Sequence, residues 1–272
     1  DGQNAQKAIE VLKTQSDKPL FLALGFSKPH DPFVAPKKYF DMYSVEECNP
    51  PEVPENWNPV YPYSFHGNAH KTFMNFSDRD KREFLRSYYA CTSFMDAQLG
   101  KVMKALEESG ALENTLVVFF GDHGYHLGEH DWWNKVTVYE KGTKAPFIVA
   151  GSGVNKKGVE SDAMFEFIDI YPTLADMANL EAPEHLEGKS FKSVIENPSE
   201  PFRSEVRAIT RRGDFFGTMV KNKDWRYIEW DNGEKGQELY NQHTDPVEYN
   251  NLAENPDYRD VINEMKALLH KE

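Results

Sequence analysis

Apolar residues at Phe84, Tyr88, Cys91, Met95, Leu99, Val102 and Leu106 recur at steps of four and three. That spacing predicts a long amphipathic helix. Ser77 is placed to cap it, Asp78 and Asp80 suit its first turn, and it should stop near Gly110. Ala5, Ala8, Ile9, Val11 and Leu12 predict a shorter helix ahead of it. Three continuous apolar runs, at 20–26, 115–120 and 146–151, read as buried strands. Ile168 to Leu180 reads as a helix with Pro172 in its first turn and Leu174 and Met177 inward.

The pattern changes after about residue 195. Residues 205–210 alternate like a half-exposed strand, and 216–220, 225–230 and 237–240 are further strand candidates. Asp231-Asn232-Gly233 is a turn signal, and Tyr258 to His270 is a terminal amphipathic helix. The expected architecture is an α/β layer over residues 1–195, followed by a small antiparallel α+β subdomain over 196–272. Residues 44–76, rich in proline and aromatics, predict a long ordered loop with little regular structure. Such a loop either frames a substrate pocket or is a surface excursion.

Charge and composition narrow the function classes. A net charge of −13 without an offsetting basic patch argues against nucleic-acid binding, but leaves room for a local anion pocket. Cys48 and Cys91 give neither a disulfide framework nor a cysteine zinc site, and one bridge between them is the alternative that nothing in the sequence supports. Cys91 falls on the apolar helix face, which predicts a buried structural thiol. No apolar run is long enough to span a membrane, and no signal peptide is visible.

The candidate chemistry lies in loops that leave the predicted strands. The first is Ser27-Lys28-Pro29-His30-Asp31-Pro32, where prolines stiffen the backbone around His30. It reads as a platform for a catalytic side chain or as a plain turn. The second is Gly121-Asp122-His123-Gly124-Tyr125-His126-Leu127-Gly128-Glu129-His130. Asp122 and His123 would face opposite ways in a regular strand, so sharing one metal needs a backbone turn between the glycines. A carboxylate with an imidazole suits a divalent ion, and an oxygen-rich remainder favours Ca²⁺ or Mg²⁺. A hydrogen-bonded loop without metal fits the same residues. His126 and His130 suit structural or substrate-contact roles, and Glu129 a solvated carboxylate. Lys135, after Trp132-Trp133, is either a positioned cation for an anionic group or a solvated lysine beside exposed indoles. Lys144 is similar. Lys28, His126, Trp133 and Lys144 are the candidate substrate contacts.

Three stretches together resemble the type I sulfatases, among them iduronate-2-sulfatase and the bacterial polysaccharide sulfatases. They are residues 18–30, Gly121-Asp122-His123-Gly124 with Leu127-Gly128-Glu129-His130, and Lys135 with Lys144-Ala145-Pro146-Phe147-Ile148. Phe167 to Leu174, Glu238-Leu239-Tyr240 and Asp245-Pro246 match more weakly. The resemblance implies an alkaline-phosphatase-like, mainly parallel sheet flanked by helices, present in part. It implies a Ca²⁺ ion, with Mg²⁺ as the alternative, held by Asp122 and His123. It implies that His30 and Lys135 contact the sulfate and that His30 protonates the leaving alcohol. It also implies a periplasmic, secreted or lysosomal setting.

One departure qualifies the match. Such sulfatases use a formylglycine made within a Cys-x-Pro/Ala-x-Arg motif. Cys91-Thr92-Ser93-Phe94-Met95 and Cys48-Asn49-Pro50-Pro51-Glu52 do not fit it. The chain therefore reads as the C-terminal portion of a sulfatase, with nucleophile and further metal carboxylates on an N-terminal half. That half, or another chain, would cover exposed core strands. The expected activity is removal of sulfate from sulfated carbohydrate, with this chain inactive alone. Two other readings remain: an inactive fragment or pseudoenzyme that binds a sulfated glycan or partner chain, and a phosphate-ester hydrolase of the same fold.

Overall fold

The longest helix begins where its cap dictates. In the computed structural model, Ser77 Oγ accepts from the Asp80 amide at 3.2 Å and Asp80 Oδ2 accepts from the Ser77 amide at 2.9 Å. This reciprocal box satisfies donors that a helix start leaves unpaired. The structure describes residues 1–14, 18–55, 57–65 and 72–271. They form two compact units, one of Asp1–Pro51 with Met74–Leu116 and one of Glu52–Phe73 with Val117–Glu272.

Among the described residues the first unit is built on the α-helices α1 (Gly2–Leu12), α2 (Lys37–Phe40) and α3 (Asp78–Glu108). Ala5 and Ala8 of α1 pack on Val102 of α3, with Leu24 and Phe26 beside them. Aromatic rings cover more of α3, Phe33 packing on Phe84 of the predicted stripe at 4.9 Å and Tyr39 on Phe94 beside that stripe at 5.5 Å between centroids. Leu85, Ala90 and Gln98 are therefore buried as well as the predicted Cys91, Val102 and Leu106. A single sequence stripe undercounts a helix that is covered on more than one side. Both cysteines are free and buried, and burial pushes both thiols up.

The strand predicted at 20–26 does not form. Residues 19–27 carry no regular structure, and Phe21 is 82% exposed. An apolar run supplies a strand's side chains, but a strand also needs a ladder partner, and none pairs with it among the described residues.

The strands predicted at 115–120 and 146–151 form as β1 (Leu116–Phe120) and β2 (Phe147–Gly151), and the two pair with each other. The Gly121 amide donates to the Pro146 carbonyl at 3.1 Å, so the end of β1 lies beside the start of β2. Both strands were expected to be buried, yet Phe120 and Ile148 are exposed. A 3₁₀ turn at Phe167–Asp169 leads into a helix at Ile170–Met177, with Pro172 in its first turn. The loop predicted at 44–76 holds no helix or strand over 52–65; its residues 56 and 66–71 lie outside the described residues.

Asp169 organises that corner. It accepts from Arg203 Nε at 2.7 Å and from the amides of Glu166 and Lys189 at 2.9 and 2.8 Å. Burial opposes its charge, but Arg203 and the two amides outweigh it and hold the carboxyl below the ordinary range. A depressed carboxyl stabilises the fold above its unfolded value and loses that contribution as pH falls through the folded one. D169N should therefore cost about 3 kcal/mol near pH 7, and the gap to the parent should narrow near pH 3. Urea denaturation at the two pH values reads this.

The C-terminal strands form one antiparallel meander: Val206–Arg212 (β3), Phe215–Lys221 (β4), Trp225–Trp230 (β5) and Gly236–Asn241 (β6). Both faces of β5 are covered. Ile228 and Trp230 join Phe65, Trp132 and Tyr139 in one cluster. Tyr227 turns to the other face, beneath Met265 of the terminal helix (Arg259–Leu269). The fold is thus α/β with an antiparallel four-stranded subdomain, as expected.

Candidate functional site

The loop after β1 is fixed by crowding. Neither Gly121 nor Gly124 takes a left-handed backbone. A side chain at Gly124 would instead put its Cβ 2.2 Å from the Lys141 carbonyl oxygen, so the requirement is room. Asp122 then projects outward, with its side chain 87% exposed.

His123 completes the pair. Its Nδ1 lies 2.8 Å from the Gly124 carbonyl, which can only accept, so Nδ1 carries a proton and Nε2 is the nitrogen whose lone pair the neutral ring offers outward. That Nε2 sits 3.6 Å from Asp122 Oδ1. Two lone-pair donors at this separation fit one hard divalent ion between them. The donor set is incomplete: among the described residues no group of three or more His, Cys, Asp or Glu side chains could hold a metal.

The rest of the motif is structural scaffolding. Glu129 is tied down rather than solvated; its carboxylate accepts from the Leu127 amide at 2.8 Å and pairs with Lys141 at 3.1 Å. His126 is fully buried, with Nε2 2.8 Å from Thr137 Oγ1. Burial and the neighbouring His130 push its pKa well below the ordinary histidine value, so it is neutral at physiological pH. His130 is also buried, with Nε2 3.1 Å from the Glu248 carbonyl. Trp132 and Trp133 are buried rather than exposed indoles. The substrate contact considered for His126 and Trp133 therefore gives way to packing, because neither ring is open to a ligand.

Lys135 is half-buried and held through its backbone. Its amide donates to Asn134 Oδ1 at 2.8 Å, and its carbonyl accepts from Trp132 Nε1 at 3.1 Å. The next residue, Val136, has φ +66°, a strained conformation for a β-branched side chain. Its carbonyl accepts from Arg212 Nη2 at 2.6 Å. Burial pushes the Arg212 pKa down to about 10, which leaves it charged at neutral pH. Lys144 stands exposed two residues before Pro146, 3.9 Å from Glu140 Oε1.

In the first unit, the 27–32 loop is pinned from α1. Asp1 accepts from the amides of Ser27 and Lys28 at 2.7 and 3.0 Å. Lys28 Nζ donates to the carbonyls of His30 and Pro32 at 2.9 and 2.7 Å, so its charge braces the loop. The His30 ring is half-exposed, with Nδ1 2.6 Å from the Asp31 carbonyl. Its Nε2 is the nitrogen left for outside contacts. Asp1, Val136 and Arg212 carried no sequence signal: a carboxylate, a valine and an arginine are ordinary residues until their partners are known.

Comparison with known proteins identifies the chain. The sulfatase family model matches residues 1–180, and that of the N-sulphoglucosamine sulphohydrolase C-terminal region matches 128–272. A sulfatase of Formosa agariphila is 34% identical over the whole chain, which spans 53% of that protein. An arylsulfatase of Clostridium perfringens is 31% identical over 98% of the chain, which spans 56% of it. The chain thus spans about half the length of the curated relatives it matches. A structure solved with its substrate D-glucosamine-2-N,6-O-disulfate superposes with a TM-score of 0.85 at 20% identity, over 98% of this chain and 68% of that one. With the glycine-flanked Asp122-His123 pair at the end of β1 and a matching family model over most of its length, the chain belongs to the sulfatase family.

Proposed function

We propose that this chain is the C-terminal portion of a sulfuric ester hydrolase that removes sulfate from sulfated carbohydrate. The observation that carries the reading is the Asp122–His123 pair, with Nε2 turned to the carboxylate, inside a chain of this family. Asp122 and His123 would hold part of the shell of a Ca²⁺ ion, with Mg²⁺ as the alternative. When bound, such an ion polarises the sulfate oxygens and offsets the charge that develops as the S–O bond breaks. Lys135 supplies a fixed positive charge to the sulfate, and His30 a proton to the leaving alcohol. A formylglycine nucleophile and the remaining carboxylates come from a segment outside this chain. The exposed apolar side chains of Leu20, Phe21 and Leu22, and of Phe120 and Ile148, support a covering segment.

The test is release of sulfate from sulfated saccharides by the complete protein and by this chain alone. Turnover by the complete protein only is expected. K135A in the complete protein should lower turnover of 4-nitrophenyl sulfate at least about 100-fold. Turnover by the chain alone would overturn the division of catalytic parts. One observation favours a second substrate class: a phosphonate monoester hydrolase from Silicibacter pomeroyi shares the fold, with a TM-score of 0.84. Its identity to this chain is 21%, against 34% for the Formosa sulfatase, so sulfate is the first choice. Parallel assays with 4-nitrophenyl sulfate and a phosphonate monoester separate the two.

A further inference from the structure

Arg212 is a fully engaged cation of the second unit. It leaves the end of β3 with every guanidinium N–H spent on a neutral oxygen. Nε donates to the Tyr63 carbonyl at 2.7 Å. Nη1 donates to Thr210 Oγ1 and the Arg211 carbonyl at 2.8 and 3.0 Å. Nη2 donates to the Ser64 and Val136 carbonyls at 3.2 and 2.6 Å. The side chain is buried and lies over the Trp230 ring, 5.6 Å from its centroid. Burying a guanidinium without a carboxylate is costly, so the arrangement calls for a role.

Its target is a strained peptide. Val136 holds a left-handed backbone that its branched side chain disfavours, and its own side chain is exposed and gains little from packing. Such a residue persists where its surroundings over-determine it. Here they do. Arg212 grips the Val136 carbonyl, and Trp132 grips the Lys135 carbonyl at 3.1 Å. Thr137 is locked between His126 Nε2 at 2.8 Å and Gly142, where a Cβ would fall 2.2 Å from Thr137 Oγ1. Relaxing Val136 to an extended conformation would swing the chain that carries Lys135.

We propose that Arg212 is a positioning residue for the Lys135 ammonium, acting through the strained Val136 peptide from the C-terminal sheet. This rests on the proposed sulfate contact of Lys135. The C-terminal subdomain then contributes to sulfate recognition without touching substrate. Arginine suits the task because one planar fork reaches several carbonyls at once; a lysine offers fewer donors from a single point.

The test is a double-mutant cycle in the complete protein, read as kcat/KM for 4-nitrophenyl sulfate. R212M should lower kcat/KM about 100-fold, as for a misplaced reacting group, and should do so by less than about twofold in a K135A background. R212K should recover only part of the loss. An equal loss in both backgrounds, or no loss in either, overturns the proposal, because a purely structural role is indifferent to Lys135. If R212M does not fold, R212K decides: its smaller loss should vanish in the K135A background, and adding V136G, where glycine takes the positive φ without being gripped, should return R212K/V136G close to the parent kcat/KM. A loss in R212K that V136G leaves unchanged overturns the proposal. Unchanged turnover in K135A would remove the sulfate reading of Lys135 itself, which is a distinguishable failure.

Discussion

D122N is expected to lower sulfate-ester turnover of the complete protein about 10²–10³-fold while its melting temperature stays at the parent value. The two halves of that expectation have one origin. The Asp122 side chain is 87% exposed, and among the described residues its polar neighbour is His123 Nε2 at 3.6 Å. Among the described residues no structural group depends on it, so substitution removes neither packing nor a buried partner. An exposed carboxylate aimed at an imidazole lone pair is, however, what a divalent ion requires. Asparagine keeps the shape and one oxygen but loses the charge. Ca²⁺ binding by the complete protein, followed by calorimetry, should weaken in parallel. Full turnover with undiminished Ca²⁺ affinity in D122N would sink the metal-ligand role.

R226M should act the opposite way, destabilising the chain strongly through a group far less accessible to any ligand. Arg226 is 1% exposed and lies between two carboxylates. Its Nε sits 2.5 Å from Glu248 Oε1, its Nη2 pairs with Glu140, and its Nη1 donates to the Val138 carbonyl at 2.7 Å. Glu248 is itself buried and accepts from the Glu140 amide at 2.7 Å. Removing the cation leaves two facing carboxylates, one of them without water. Breaking a buried pair in this way costs about 3–5 kcal/mol. Burial already raises the Glu248 carboxyl above its ordinary value despite Arg226, and without Arg226 the rise is larger. A raised carboxyl binds a proton in the folded state where the unfolded chain is ionised, so the variant loses stability as pH rises above the unfolded value. The deficit should therefore be smaller near pH 5 than near pH 8. A deficit independent of pH would mean that the carboxylates do not meet as described. Glu140 and Val138 flank the segment that follows Lys135, so the same network keeps the site loop anchored.

Much of this was legible in the sequence because it depended on neighbours along the chain. The Ser77 cap, α3, the Pro172 turn, the meander after residue 195 and its Asp231-Asn232-Gly233 turn are short-range patterns, and each formed where expected. The Asp122-His123 pair was also visible, because adjacent ligands on a strand-end loop need no long-range partner to be noticed. Burial was less legible. The 20–26 run looked like a core strand, but pairing is a property of two segments, and no partner strand joins it among the described residues. Trp132 and Trp133 looked exposed beside a charged lysine; only the packing of Phe65, Trp230 and Tyr139 closes over the cluster that holds Trp132.

The sequence by itself determined the α/β order, the antiparallel C-terminal unit and the family, since period, cap and turn chemistry are written locally. Only the tertiary structure decided that His126 is a neutral, buried brace rather than a ligand contact, and that Lys28 is spent on its own loop. It alone joined Arg212 to Val136 across seventy-odd positions. Hydrogen-bond geometry and desolvation belong to groups brought together by folding, and a linear chain does not state which groups those are.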